Sequence, residues 1–410
     1  MKMTTPNHID LFDTETQEDW FPTYKELRDE FPCYQIPGSK IFVLTRYEDV
    51  MQVLRHPDRF INGYGTTRHK SSHEIYVKKG FEKRSVLGTN PPVHKLYRDM
   101  VDPHFNLQGS AKWSEKISDL SHSLIDSFCA DGEVEFLSSF ALPLPVTMIT
   151  TILGLPVEDL EQLKKWSEAW VLPFSGPLSE EKENWVAEQG VEFQNYILRH
   201  VHERRENPKD DVISHLTQGT FGDERPLTDS EIVRIIDHLY IGGNETTTFA
   251  LTSGLWILLR EDGLYERVLN NRELVEPFIE EVLRLESPTQ GLYRTTTQDE
   301  EFHGVTIPKD STIHIRYAAA NRDERMFENP DEVNLERHNL KRHMAFSLGE
   351  HHCPGSGLSR TEQRIALNVV LDRLSDLSLD ENKNDYSHMP GLVLRSLNEL
   401  HLKFSPSEPS

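Results

Sequence analysis

The chain has 410 residues, 37% of them hydrophobic, and a formal net charge of −23. Such acidity argues against a nucleic-acid partner or an anionic membrane surface, and no apolar run approaches the ~18 residues of a spanning helix. Three dispersed cysteines, Cys33, Cys129 and Cys353, exclude a disulfide framework and indicate a reducing, cytoplasmic setting.

Length alone would suggest two or three domains. No Gly/Ser- or Pro-rich linker and no internal repeat divides the chain, so a single domain over 1–410 is expected, fraying over about 1–15 and 405–410. The opening Met1-Lys2-Met3-Thr4-Thr5-Pro6 carries no apolar leader. The pattern is mainly α with a small β region, an α+β class.

A short helix is predicted over 24–30, a strand over 39–45 from Ile41-Phe42-Val43-Leu44, and a helix over 47–54. Residues 60–87 are polar, weakly periodic and glycine-containing, and read as a long loop region lining a binding site. Asn90-Pro91-Pro92 then starts a helix on which His94 and Arg98, four apart, share a face. Such a pair clamps a carboxylate.

Several amphipathic helices are expected over 107–206. Trp166, Trp170 and Trp185 read as core or pocket wall, and Pro173 and Pro177 bracket a loop. The longest helical candidate is 228–260, opened by the capping box Thr228-Asp229-Ser230-Glu231. In its middle, Gly242-Gly243-Asn244-Glu245-Thr246-Thr247-Thr248 opposes helix, the glycines by ~1 kcal/mol each. The glycines clear space for something flat, and Thr246 can bond back to the Gly242 carbonyl and open a bend.

Glu281 and Arg284 are helical neighbours at three residues. Strand-like segments follow over 293–297, 304–307 and 312–316, and Gly391-Leu392-Val393-Leu394 reads as a late hairpin facing the pocket. Between them lies Phe346-Ser347-Leu348-Gly349-Glu350-His351-His352-Cys353-Pro354-Gly355. Here a lone cysteine opens an apolar-periodic helix, with Pro354 at its start. The helix dipole and free backbone N–H groups favour a thiolate, and Gly349 and Gly355 let backbone approach the sulfur. A thiolate so held is a nucleophile or a metal ligand.

Phe346, Gly349, His351, Cys353 and Gly355 fill every fixed position of Phe-x-x-Gly-x-His-x-Cys-x-Gly, and the stretch resembles the haem-binding loop of the cytochromes P450, a family known for thiolate ligation. The resemblance runs from about residue 90 to 364. It implies a single helix-rich domain enclosing haem b, with Cys353 as the iron ligand. It implies His94, Arg98, Arg294 and His351 as propionate partners, with His343 a lesser one, and Gly242 and Gly243 against the ring. Glu281 and Arg284, with Arg337 as third member, would form a structural lock. Glu245 and Thr246 resemble the family's acid–alcohol pair. Gly242 stands where Ala is commoner and Asn244 where His is, and neither departure is expected to touch the pair. The implied activity is a monooxygenase acting on a small hydrophobic molecule (terpenoid, steroid-like or aromatic). Leu239, Thr289, Gln290, Gly291, Leu292, Leu392 and Val393 would line the pocket, with the stretches 60–87 and 172–178. Electrons would come from NAD(P)H through an FAD-dependent ferredoxin reductase and an iron–sulfur ferredoxin docking on Lys341, Arg342, Arg360 and Arg364. A monomer is expected. Other readings are a zinc site using His351, His352 and Cys353, a haem-based sensor without turnover, and a peroxide-driven peroxygenase, whose family members usually lack the acid–alcohol pair.

Overall fold

The structure, a computed structural model, describes residues 8–63, 69–82, 86–222 and 224–409. It is organised around the helix Asp229–Arg260, 32 residues long and so ~48 Å from end to end. Its start is the expected capping box: Thr228 Oγ1 accepts from Glu231 N, and Thr228 N donates to Glu231 Oε2 at 2.8 Å. Glu231 also accepts from Tyr97 Oη at 2.6 Å and from Arg225, which ties the helix Val93–Phe105 to the central one.

Around this helix are laid Pro143–Leu153, Glu180–Glu206, Val275–Glu286 and Ser356–Arg373. Ile235, Ile236, Ile257 and Leu258 are fully buried between them, each contributing ~1.5–3 kcal/mol of apolar burial. Helices cover the central one on several sides, so it buries polar as well as apolar residues, among them Asp237, Asn244, Thr247, Thr248 and Thr252.

A five-stranded sheet flanks the helices, in the order Cys33–Gln35, Ile41–Leu44, Thr312–Ile315, Leu292–Thr296, Phe60–Asn62. All pairs are antiparallel except Ile41–Leu44 with Thr312–Ile315, where Ile313 sits opposite Phe42. A three-stranded sheet joins Glu133–Glu135 to His401–Lys403 and Ser378–Leu379.

Four expectations change. The 60–87 stretch carries the strand Phe60–Asn62 and a helix, Lys70–Lys79, packed on Glu180–Glu206; residues 64–68 and 83–85 lie outside the described residues. Its polar helix escaped detection because only Ser72 and Tyr76 face inward. Of the ends expected to fray, residues 1–7 and 410 lie outside the described residues; among the described ones, Ile9 and Leu11 are buried, Tyr34 Oη donates to Ile9 O, and Ser405 N and Ser407 N donate to Ser375 O and Cys129 O. Trp185 is 43% exposed beneath Lys182, whereas Trp166 stacks on Phe193. The late hairpin reduces to isolated bridges, Thr289 with Leu394 and His388 with Leu397.

Candidate active site

The loop before Ser356–Arg373 folds back on itself. Cys353 N donates to Phe346 O at 2.8 Å, and Gly355 caps the helix. Gly349 has φ +69°, and a Cβ there would lie 2.9 Å from Leu54 O. Its role is to seat the loop on the helix Tyr47–Arg55 rather than to approach the sulfur. A Cβ on Gly355 would stand 3.8 Å from Cys353 Sγ, an ordinary contact. Arg360 lies over the Phe346 ring at 4.5 Å.

Burial pushes the Cys353 thiol above its ordinary value. The Gly355 N–H and the charges of Arg98 and Arg360 pull the other way without reversing it. The helix terminus thus acts in the expected direction, and a bound metal would deprotonate the thiol outright. Among the described residues no three His, Cys, Asp or Glu side chains gather to hold a metal ion, which removes the zinc reading; His351 turns instead to His94.

The His94 and His351 rings lie 4.2 Å apart, and each leaves a buried Nε2 without a partner. Burial, and then the Arg98 charge, hold His94 down to about 4; burial, then Arg294, His94 and Arg98, hold His351 to about 3. Arg98 is braced by Asp102 at 2.6 Å and by Glu350 O at 3.0 Å. Arg294, buried, donates to Asn62 Oδ1 and Tyr293 O. Two buried ring nitrogens and two guanidiniums together form a cradle suited to an anion. The haem propionates fit it. His343 does not belong there: its Nε2 pairs with Glu280 at 2.9 Å.

On the central helix the two glycines diverge. A Cβ on Gly242 would meet nothing within 4 Å, whereas on Gly243 it would lie 2.8 Å from Ile149. Gly242 alone opens to the interior space; Gly243 admits a neighbouring helix. Thr246 Oγ1 donates to Gly242 O at 3.0 Å, the expected bond, within a helix that runs unbroken from Asp229 to Arg260. Glu245 points elsewhere, accepting from Ser167 Oγ at 3.0 Å, and Ser167 accepts from Asn244 Nδ2 at 3.0 Å. Asn244 is thus connected to the acid, contrary to expectation. Burial raises the Glu245 carboxyl, with Ser167 opposing.

Leu239 is buried in the main hydrophobic cluster. Its neighbour His238 lies instead on the stripe of Arg234, Gly242 and Thr246, which is not fully buried. Burial and the Arg98 charge keep His238 neutral, at about 4. Arg98 thus acts electrostatically on both Cys353 and the distal helix, which brings the two halves of the site together.

A cavity of about 200 Å³ lies between the sheet and the helix Glu180–Glu206. Leu392 and Val393 line it as expected, with Pro173, Phe174 and Leu178. Gln290 does not: it is fully buried, bonding Tyr24 Oη and two backbone carbonyls. Gly291 serves a close strand approach, 2.3 Å from its Cβ position to Ile315 O. Thr289 bridges Leu394, and Leu292 is 37% exposed at a strand start. Missed residues include Phe12, Tyr293 and His314, which carry no periodic signal, and Ser167, a lone serine on an amphipathic helix.

Below the loop, Glu281 accepts from Arg284 at 2.8 and 2.7 Å and from Arg337 at 3.2 Å. The three expected members are all buried.

The cytochrome P450 family model matches residues 145–402. Cytochrome P450(BM-1) of Priestia megaterium is 32% identical over 370 residues, covering 88% of each chain. The structure of P450BioI with an acyl carrier protein ligated to hexadec-9Z-enoic acid superposes with TM-score 0.87 at 28% identity, covering 96% of this chain and 99% of that one. CYP109E1 from Bacillus megaterium in complex with testosterone gives TM-score 0.85 at 28% identity, over 96% and 100%. The described helices include none long and apolar enough to cross a membrane. With a matching family model over most of its length and a shared fold, this chain belongs to the cytochrome P450 family, whose members are haem-thiolate monooxygenases.

Proposed function

We propose that the chain holds haem b through Cys353 and inserts one atom of dioxygen into a small hydrophobic substrate, with electrons from NAD(P)H by way of ferredoxin reductase and ferredoxin. The observation that carries the reading is the anion cradle of His94, His351, Arg98 and Arg294 beside a half-buried cysteine. Bound haem supplies dioxygen activation. The protein's own work is to hold the propionates, exclude water and bring protons. Glu245 is the buried acid and Thr246 the hydroxyl that faces the chamber. The presence of this pair favours a monooxygenase over a peroxide-driven enzyme or a sensor.

The lining of Phe174, Leu392 and Val393 suits an apolar body, and the testosterone held by a similar structure supports a steroid-like or terpenoid one. A cytoplasmic monomer is consistent with three unpaired cysteines. For ferredoxin, Lys341, Arg342 and Arg364 line an open groove beside Cys353. Arg360 is a poor probe of docking, because Glu280 holds it at 2.5 Å. Reversing Lys341 or Arg364 is the sounder test and should slow ferredoxin-driven reduction.

The deciding experiment compares Cys353→Ser and Thr246→Ala. Cys353→Ser should lose the thiolate signature of the reduced carbon monoxide complex. Thr246→Ala should keep it while product per NAD(P)H falls by ~10²-fold and peroxide rises. A wild-type signature in Cys353→Ser would overturn the ligand assignment, and undiminished coupling in Thr246→Ala would overturn the proton role.

A further inference from the structure

Ser167 lies on the helix Leu160–Val171 and is 1% exposed. Its single hydroxyl proton goes to Glu245 Oε1 at 3.0 Å, the charged acceptor, rather than to Asn244 Oδ1 at 3.3 Å. Its lone pair accepts from Asn244 Nδ2 at 3.0 Å. The carboxyl is thus gripped from the outer helix by a group that is itself fixed by the residue preceding Glu245. Thr246 meanwhile is turned to Gly242, so acid and alcohol, adjacent in sequence, point in different directions.

The outer helix continues directly into the turn Leu172–Phe174, and Pro173 and Phe174 line the cavity between the sheet and the helix Glu180–Glu206.

We infer that Ser167 is a positioning residue which holds the Glu245 carboxyl on the outer helix, away from Thr246. The inference rests on the reading of Glu245 as the proton-donating acid. The charged and titratable groups facing Glu245 are Lys164 and Glu168 on the outer helix and Tyr240 on its own. Among the described residues, the side chain that hydrogen-bonds it is Ser167. A hydrogen bond to the ionised form favours that form, so losing Ser167 raises the pH at which the acid titrates.

The test uses the haem-loaded full chain and four variants: Ser167→Ala, Ser167→Thr, Glu245→Gln and the Ala/Gln double. Difference infrared spectroscopy follows the carboxyl band that disappears in Glu245→Gln, as a function of pH and without turnover. The second readout is the solvent isotope effect on NAD(P)H-driven peroxide release with a surrogate ferredoxin and its reductase. The band midpoint should move upward in Ser167→Ala and return in Ser167→Thr. Peroxide release should change ~10-fold in Ser167→Ala and not further in the double variant. If Ser167→Ala leaves the band where it was, or acts equally in the Glu245→Gln background, the positioning role is overturned and the acid stands. If Glu245→Gln leaves peroxide release and its isotope effect unchanged while the band still answers to Ser167, the acid reading falls. Should Ser167→Ala not fold, Ser167→Cys keeps the volume and weakens the hydrogen bond for the same readouts.

Discussion

Replacing Glu281 by glutamine tests how much of the fold depends on one carboxylate. Its oxygens accept from Arg284 Nε and Nη2 at 2.8 and 2.7 Å, from Arg337 Nε at 3.2 Å and from Asn334 N at 3.0 Å. Glu281 and Arg284 are completely buried, and Arg337 nearly so. Glutamine keeps the shape but leaves two guanidiniums without their counter-charge and turns an NH2 group toward an N–H donor. Removing one partner of a buried ionic group costs ~3–5 kcal/mol, a large share of the ~5–15 kcal/mol that holds a native domain. Unfolding entropy of ~2.1 cal/mol/K per residue over 410 residues converts that loss into a fall of ~4–6 °C in Tm. Calorimetry at neutral pH on samples of equal haem content is the assay. Arg284→Lys should fall by a similar amount, because a point charge cannot replace the fork that grips both oxygens. A Glu281→Gln variant melting within ~1 °C of the parent would refute the reasoning.

Two further outcomes follow from the electrostatics. Burial alone would raise the Glu280 carboxyl, but hydrogen bonds from His343 and Arg360 outweigh it and hold it at about 2, against an ordinary 4.5. A carboxyl lowered by folding contributes stability above the ordinary value and loses it as pH falls toward the lowered one. Roughly 1.4 kcal/mol should disappear between about pH 5.5 and about pH 3.5. Urea unfolding of Glu280→Gln should lack that portion; an equal loss in both proteins would sink the assignment. His238 stands one turn before Gly242 on the partly exposed stripe of the central helix, so a ligand seated there would meet a neutral imidazole. In His238→Leu, spectral titrations should shift the ratio of Kd values for 4-cyclohexylphenol and cyclohexylbenzene ~10-fold toward the hydrocarbon. An unchanged ratio would place His238 away from the ligand.

The chemistry of the site was legible because it is local. The spacing of Phe346, Gly349, His351 and Cys353, the four-residue step from His94 to Arg98, and the capping box at Thr228 are short-range patterns whose geometry a helix or tight loop dictates. Helix-internal partners such as Glu281 with Arg284 were readable for the same reason. Directions were not. One residue is 100° around a helix, so choosing Leu239 over His238, or treating Gly242 and Gly243 alike, depends on knowing which neighbour lies on each side. Ile149, more than ninety positions upstream and on another helix, is what Gly243 accommodates.

Sequence by itself determined which groups are present: one thiol in a haem-binding loop, an acid beside an alcohol, and a set of cations and histidines for an anion. Tertiary structure decided their state. Burial, a property of the whole assembly, keeps the Cys353 thiol protonated until a metal binds and keeps His94 and His351 neutral until an anion arrives. Long-range pairing gave Arg360 to Glu280 rather than to the surface and Glu245 to Ser167 rather than to Thr246, because a buried charge goes to whichever partner the packed chain brings within hydrogen-bond reach.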